Sequence, residues 1–187
     1  VSPEELKNHP YTKIVTRKET RTRKGTQIKE VEQVQWVSAQ HNGHWTHYHE
    51  AFGYAKKLLD EWMEEHHEKD CYPPTVIHIT DGEFNHASKE EVLQKANELK
   101  AMFTNDGNVI LFNIHFTANL GANPIACPIN KSELQGNAYA EALFDMSSLL
   151  PERYNQDISR CLNDTRAGRH VAMGMNTDAT TLIKLMD

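Results

Sequence analysis

Two short apolar runs constrain this chain more than anything else in it. The first, Thr75-Val-Ile-His-Ile-Thr80, is preceded by Pro73-Pro74 and runs into Asp81-Gly82-Glu83. The second, Val109-Ile-Leu-Phe-Asn-Ile-His-Phe116, follows the tight-turn sequence Asn105-Asp-Gly-Asn108. Both read as buried β-strands, because β-branched and aromatic residues dominate them and turn formers mark their boundaries. Between them, Ala87 to Phe103 has helical periodicity, with Val92, Leu93, Ala96, Leu99 and Phe103 as an inward stripe. Ser88 precedes Glu91 by three residues, the spacing of a capping box. Two near-continuous apolar strands joined by a helix imply a parallel pair with a right-handed crossover. In such a sheet a carboxylate at the end of a strand, here Asp81, points into the crevice where α/β proteins hold ligands.

The rest of the chain is placed around that unit. Tyr11 to Val37 reads as a basic β-hairpin, about 12–37, with Gly25 in its loop; Arg17, Lys18, Arg21, Arg23 and Lys24 form a solvated face that protects the edge. A polar loop, Ser38 to His49, carries His41, His44, His47 and His49. It leads into a helix whose stripe is Ala51, Ala55, Leu58, Leu59, Trp62 and Met63. Residues 117–136 are loop-rich. Helical patterns follow at Ala138 to Leu149 and Pro151 to Asn163, then a short strand at Arg169 to Met175 and a last helix at Asp178 to Met186.

Length and charge narrow the function classes. At 187 residues one domain, residues 1–187, is expected. No apolar run approaches the roughly 20 residues that span a bilayer, so no membrane partner is expected. Residues 1–30 carry eight Lys or Arg against four Glu, while the remainder carries twelve against twenty-two acidic residues. An acidic body argues against a nucleic-acid surface covering the domain. Three cysteines without CxxC spacing fit structural thiols in a reducing compartment, hence a cytoplasmic protein.

Taken together, Gly43-His-Trp-Thr46 before an alanine-containing helix, then Thr80-Asp81-Gly82 after an apolar strand, then Asp106-Gly-Asn-Val-Ile-Leu-Phe-Asn-Ile-His115, resemble a von Willebrand factor type A domain of the bacterial intracellular kind. The segment Met146-Ser-Ser-Leu-Leu-Pro151 and the basic hairpin match those members too. The resemblance implies a Rossmann-like three-layer α/β/α fold with a metal-ion-dependent adhesion site at the carboxyl edge of the sheet. It assigns Thr46 and Asp81 as metal-binding residues. The cofactor would be Mg²⁺, whose hard oxygen ligands leave a position for a partner's carboxylate. Gly43, His44, His47, Gly82, Glu83 and His86 would line the site. The family's first motif, Asp-x-Ser-x-Ser, is absent. The expected reading is therefore the C-terminal portion of a longer domain, incomplete at its N-terminus. A missing central strand would leave exposed hydrogen-bonding edges and apolar faces. The piece is thus expected to need another chain, either the missing segment or a second copy.

Four histidines in nine residues also suit Zn²⁺ or Ni²⁺. Their spacing matches no zinc signature, so a polar rim beside the cation site is the expected role. His78 and His115 read as core histidines satisfied by backbone. His66 and His67 sit at a helix C-terminus, where the helix dipole favours a cation. The functional expectation is a non-enzymatic protein-binding module with a bridging divalent cation. The alternatives are a metal-dependent hydrolase built on the His/Asp loops, or a structural remnant without a working site. No nucleophile elbow, P-loop or dinucleotide fingerprint supports an enzyme.

Overall fold

The computed structural model describes residues 4, 8, 12–22, 25–35, 46–66, 70–81, 83–117, 123–177 and 181, the first two strands by their backbone alone. The chain divides into two compact units, residues 1–44 and 45–187. In the first, β1 (Thr12–Thr22) and β2 (Gly25–Gln35) pair antiparallel from Thr12↔Gln35 to Thr22↔Gly25. That is the hairpin expected from the two β-prone runs.

The second unit is an α/β layer structure. Its elements are α1 (Tyr48–His66), β3 (Thr75–Thr80), α2 (Lys89–Ala101), β4 (Phe103–Thr104), β5 (Gly107–Asn108), β6 (Ile110–His115), β7 (Ile125–Ala126), α3 (Ala138–Met146), α4 (Asn155–Leu162) and β8 (Met173–Met175). The sheet order is β3-β6-β8-β7, with β3, β6 and β8 parallel and β7 antiparallel. The strand–helix–strand unit read from the sequence is therefore present. Ser88 caps α2 as its spacing requires: its Oγ accepts from Glu91 N (3.2 Å) and Glu91 Oε2 accepts from Ser88 N (2.7 Å). Among the described residues no helix is long and apolar enough to cross a membrane.

Alternation along β6 divides the core between its two faces. Leu111, with Val76, Met173 and Met175, packs against Tyr48 and Phe52 of α1, Val92, Ala96 and Leu99 of α2, and Leu143 and Met146 of α3. Phe112 and Ile114 face the other way, against Ile158 and Leu162 of α4. The Met146-Ser-Ser segment joins β6 to β8 where they diverge. Ser148 Oγ accepts from Leu111 N (2.9 Å), Ser148 N donates to Leu111 O (3.0 Å), and Ala172 N donates to Ser148 O (2.8 Å). Leu149 then bridges Val171. Backbone groups in a buried sheet must be paired, and this serine supplies pairs that a longer β8 would otherwise give.

Three sequence expectations are corrected. β3 is a strand but not a buried one: Ile77 and Ile79 are 44% and 64% exposed. They share a face with Phe112 and Ile114 by register, yet among the described residues no strand pairs with the outer edge of β3. Phe103 is 71% exposed rather than inward, because α2 stops at Ala101 and the Asn105-Asp106 turn pairs Phe103 with Asn108. The inward face of α1 is Tyr48, Phe52, Ala55 and Leu59, spaced by four, three and four residues, whereas Ala51 and Leu58 are exposed. The helix begins at Tyr48, so its inward stripe starts with two aromatic rings ahead of Ala55 and Leu59. The expected last helix lies almost wholly outside the described residues.

A buried polar ladder crosses the first face. His78 Nδ1 donates to Asn113 Oδ1 (2.8 Å), and Asn113 Nδ2 donates to Ser147 Oγ (2.9 Å). Ser147 Oγ donates in turn to Leu143 O (2.7 Å). Asn113 is fully buried, so its removal strands a buried donor on β3 and leaves a small cavity. Asn113→Ala is expected to lower unfolding stability by about 2–4 kcal/mol, read from urea midpoints; a loss below about 0.5 kcal/mol would show that the ladder is dispensable.

Candidate functional site at the carboxyl edge of the sheet

The parallel strands β3, β6 and β8 end side by side, with Thr80 opposite His115 and His115 opposite Met175. At this edge the chain leaves β3 through Asp81 and leaves β6 through Phe116, whose N donates to Thr80 O (2.9 Å). The N-terminus of α1 arrives at the same edge. His47 is its N-cap by position, since Ala51 N donates to His47 O (3.1 Å). Tyr48, 1% exposed, hydrogen-bonds the Thr80 hydroxyl through its OH and packs its ring edge-on against His78 at 4.5 Å.

That contact brings together the two loops singled out in the sequence. Asn85 N donates to Thr46 O at 2.8 Å, tying the loop before α1 to the loop after β3. Thr46 is half-buried, and Asp81 is exposed. The Asp81 carboxylate makes no ion pair among the described residues; the Thr80 hydroxyl donates to its Oδ1 at 3.5 Å. Glu83 and His86 lie on the same loop, both exposed, and the His86 ring stands 5.1 Å from that of His47. His86 adopts the left-handed backbone region at φ 60°, uncommon for a residue with a side chain. Gly43, His44 and Gly82, with His41, lie outside the described residues.

Two of the site's inner histidines differ from expectation. His78 is satisfied, though by the Asn113 side chain rather than by backbone. Because the carboxamide oxygen accepts, the proton on the neutral His78 ring is on Nδ1. His115, 1% exposed, makes no hydrogen bond at either ring nitrogen. A strand-end histidine inside an apolar run gives no sequence signal of this; in the packing the Thr80 carbonyl comes near enough to favour the charged ring without meeting hydrogen-bond geometry. His66, in the last turn of α1, bonds Trp62 O (2.7 Å) through Nδ1 and stacks on the Trp62 ring at 4.2 Å. The three cysteines are free, and burial pushes the Cys127 thiol up to about 12, which makes it an inert structural group.

A cleft of about 450 Å³ opens beside β7 and α4, on the side of the sheet away from β3. Arg166 lines it, held by Glu133 and Asp164 at 2.6 Å each. None of the site residues expected from the sequence borders it. A guanidinium shared between two carboxylates there is a structural clasp.

Comparison of the chain with protein-family models, with curated proteins and with solved structures finds no match. Its own geometry therefore carries the functional reading.

Burial lowers the pKa of both His78 and His115 below the ordinary 6.5; Asn113 opposes the shift at His78, and the Thr80 carbonyl and Asp81 carboxylate oppose it at His115. A histidine that protonates less readily when folded stabilises fully above the unfolded pKa, and that contribution is lost as pH falls through the folded one. The perturbed carboxylates, such as Asp106 and Glu91, have ordinary values of 3.8 and 4.5 that are lowered further, so their losses come at more acidic pH. Stability is expected to begin falling just below pH 6.5 through these two rings. Imidazole resonances followed by NMR should give titration midpoints for His78 and His115 below 6.5; midpoints at or above it would contradict the burial argument.

Proposed function

We propose that the chain is a non-enzymatic protein-binding module in which a divalent cation, held between Thr46 and Asp81, bridges to an acidic residue of a partner. The observation that carries this reading is the Asn85 N to Thr46 O bond at 2.8 Å, which joins the two loops at the carboxyl edge of the parallel strands. The donors suit the ion. A hydroxyl and a carboxylate are hard oxygen ligands, and Mg²⁺ is bound by few protein groups while keeping several waters. Asp81 is exposed and not engaged in a described ion pair, so ligating a cation competes with no more than the long 3.5 Å bond from the Thr80 hydroxyl.

The resemblance to von Willebrand factor type A domains supports the same reading, and so does the layered α/β arrangement with helices on both sheet faces. In that frame the exposed outer edge of β3, with Ile77 and Ile79 uncovered, is where the family's first strand would pair. Two ligating loops rather than three make for weak cation binding, since fewer charged oxygens offset the cost of stripping water from Mg²⁺.

The test is calorimetric titration with Mg²⁺ and Mn²⁺ on the full chain, followed by capture of partner proteins with and without EDTA. Weak one-to-one binding is expected, lost in Asp81→Ala and reduced about tenfold or more in Thr46→Ala, with capture abolished by EDTA and restored by Mg²⁺. Undiminished Mg²⁺ binding in Asp81→Ala, or capture indifferent to EDTA, would contradict it.

A further inference from the structure

Beside that edge, at the start of α1, three side chains converge that the spacing of the sequence does not announce. His47 Nδ1 lies 3.2 Å from Glu50 Oε1, and His49 Nε2 lies 3.9 Å from the same oxygen. One donor atom from each of the three residues fits within 4.8 Å of the others. Bonds of about 2.0–2.1 Å to a tetrahedral ion place its ligand atoms roughly 3.4 Å apart. The cluster is therefore within a small side-chain adjustment of a first coordination shell.

We propose that His47, His49 and Glu50 form a second cation site, one for a borderline transition ion of the Zn²⁺ class. Two imidazoles and a carboxylate select Zn²⁺, Co²⁺ or Ni²⁺ over Mg²⁺, which prefers oxygen. Three protein ligands leave a fourth position for water or a partner's group. The site goes beyond the Thr46–Asp81 reading and does not depend on it.

The competing account is simple capping: His47 is the N-cap and Glu50 the third helical residue, the pair that forms a capping box. Capping would set His47 Nδ1 on a backbone N–H of the first turn. Instead His47 Nδ1 faces the Glu50 carboxylate at 3.2 Å, off hydrogen-bond geometry and away from the backbone, and the buried His49 Nδ1 makes no hydrogen bond, so neither ring makes the bond that capping would supply. The helix dipole opposes a cation at this end, though only weakly. Three direct metal–ligand bonds outweigh that term, so the dipole weakens such a site without preventing it. His49 Nδ1 has no acceptor to hold the ring, and an absent supporting partner costs about 10–100-fold in affinity. The site is accordingly one of moderate affinity. The His86 ring, 5.1 Å from His47, stands at its rim.

The experiment is calorimetric titration of the full chain with Zn²⁺, paralleled by visible absorption on adding Co²⁺. One Zn²⁺ per chain and the intense bands of four-coordinate Co²⁺ are expected. His47→Gln and His49→Gln should each weaken Zn²⁺ about tenfold or more, and so should Glu50→Gln, whose exposed side chain makes misfolding no explanation. Asp81→Ala should leave Zn²⁺ affinity unchanged while removing Mg²⁺ binding, which separates this site from the oxygen site. Zn²⁺ binding that survives in the folded His47→Gln/His49→Gln variant would place the ion on other histidines and overturn the proposal. Equal loss of Zn²⁺ in Asp81→Ala would merge the two sites and overturn it as well.

Discussion

One buried carboxamide, Asn113, connects the parts of the fold that matter for its chemistry. Through Oδ1 it holds His78 on β3, and through Nδ2 it holds Ser147 at the end of α3. Its backbone N donates to Ala172 O at 3.0 Å, next to β8. A polar group that deep costs a few kcal/mol unless satisfied, and here both ends of the amide are. Satisfied polar networks fix one arrangement of a core where apolar contacts alone tolerate several. The consequence at the sheet edge is register: with β3 and β6 locked at His78↔Asn113, Thr80 falls opposite His115 and Asp81 emerges beside the start of α1.

The edge is built in two tiers on that ladder. Below, Tyr48 and Phe52 pack their rings on His78 at 4.5 and 5.0 Å, and Tyr48 bonds the Thr80 hydroxyl. Above, Thr46, His47, His49 and Glu50 lead into or begin α1, while Asp81, Glu83 and His86 leave β3. The Asn85–Thr46 backbone bond joins the two loops of the upper tier. Oxygen donors and imidazole donors thus sit next to one another on a shared frame, which is the basis for assigning hard and borderline cations to adjacent places.

Much of this was legible in the sequence, for identifiable reasons. The apolar runs at Thr75–Thr80 and Ile110–His115, the Ser88/Glu91 box and the Asn105-Asp-Gly turn are local signals, and each was realised. Asp81 could be singled out because it ends a clear apolar strand, whereas Thr46 was singled out only through the resemblance to von Willebrand factor type A domains. What was not legible depends on long-range pairing. The apolar composition of β3 says buried, but its position at the sheet's edge leaves Ile77 and Ile79 open. The histidine cluster reads as suited to Zn²⁺ or Ni²⁺, but its convergence on Glu50 was not legible, for a different reason. Residues two apart do not share a helix face, so His47 and His49 seem to diverge until the helix is seen to begin at Tyr48. His47 then lies just outside it, and both rings reach Glu50.

The central claim is that the Asn113 ladder sets the Thr46 and Asp81 loops as two halves of one cation site. Anomalous diffraction from crystals grown with Mn²⁺ tests it most directly. The account predicts a manganese peak bonded to the Asp81 carboxylate, with the Thr46 hydroxyl in its coordination shell directly or through one water. Crystals with Mn²⁺ bound elsewhere, and no metal density between Thr46 and Asp81, would contradict it.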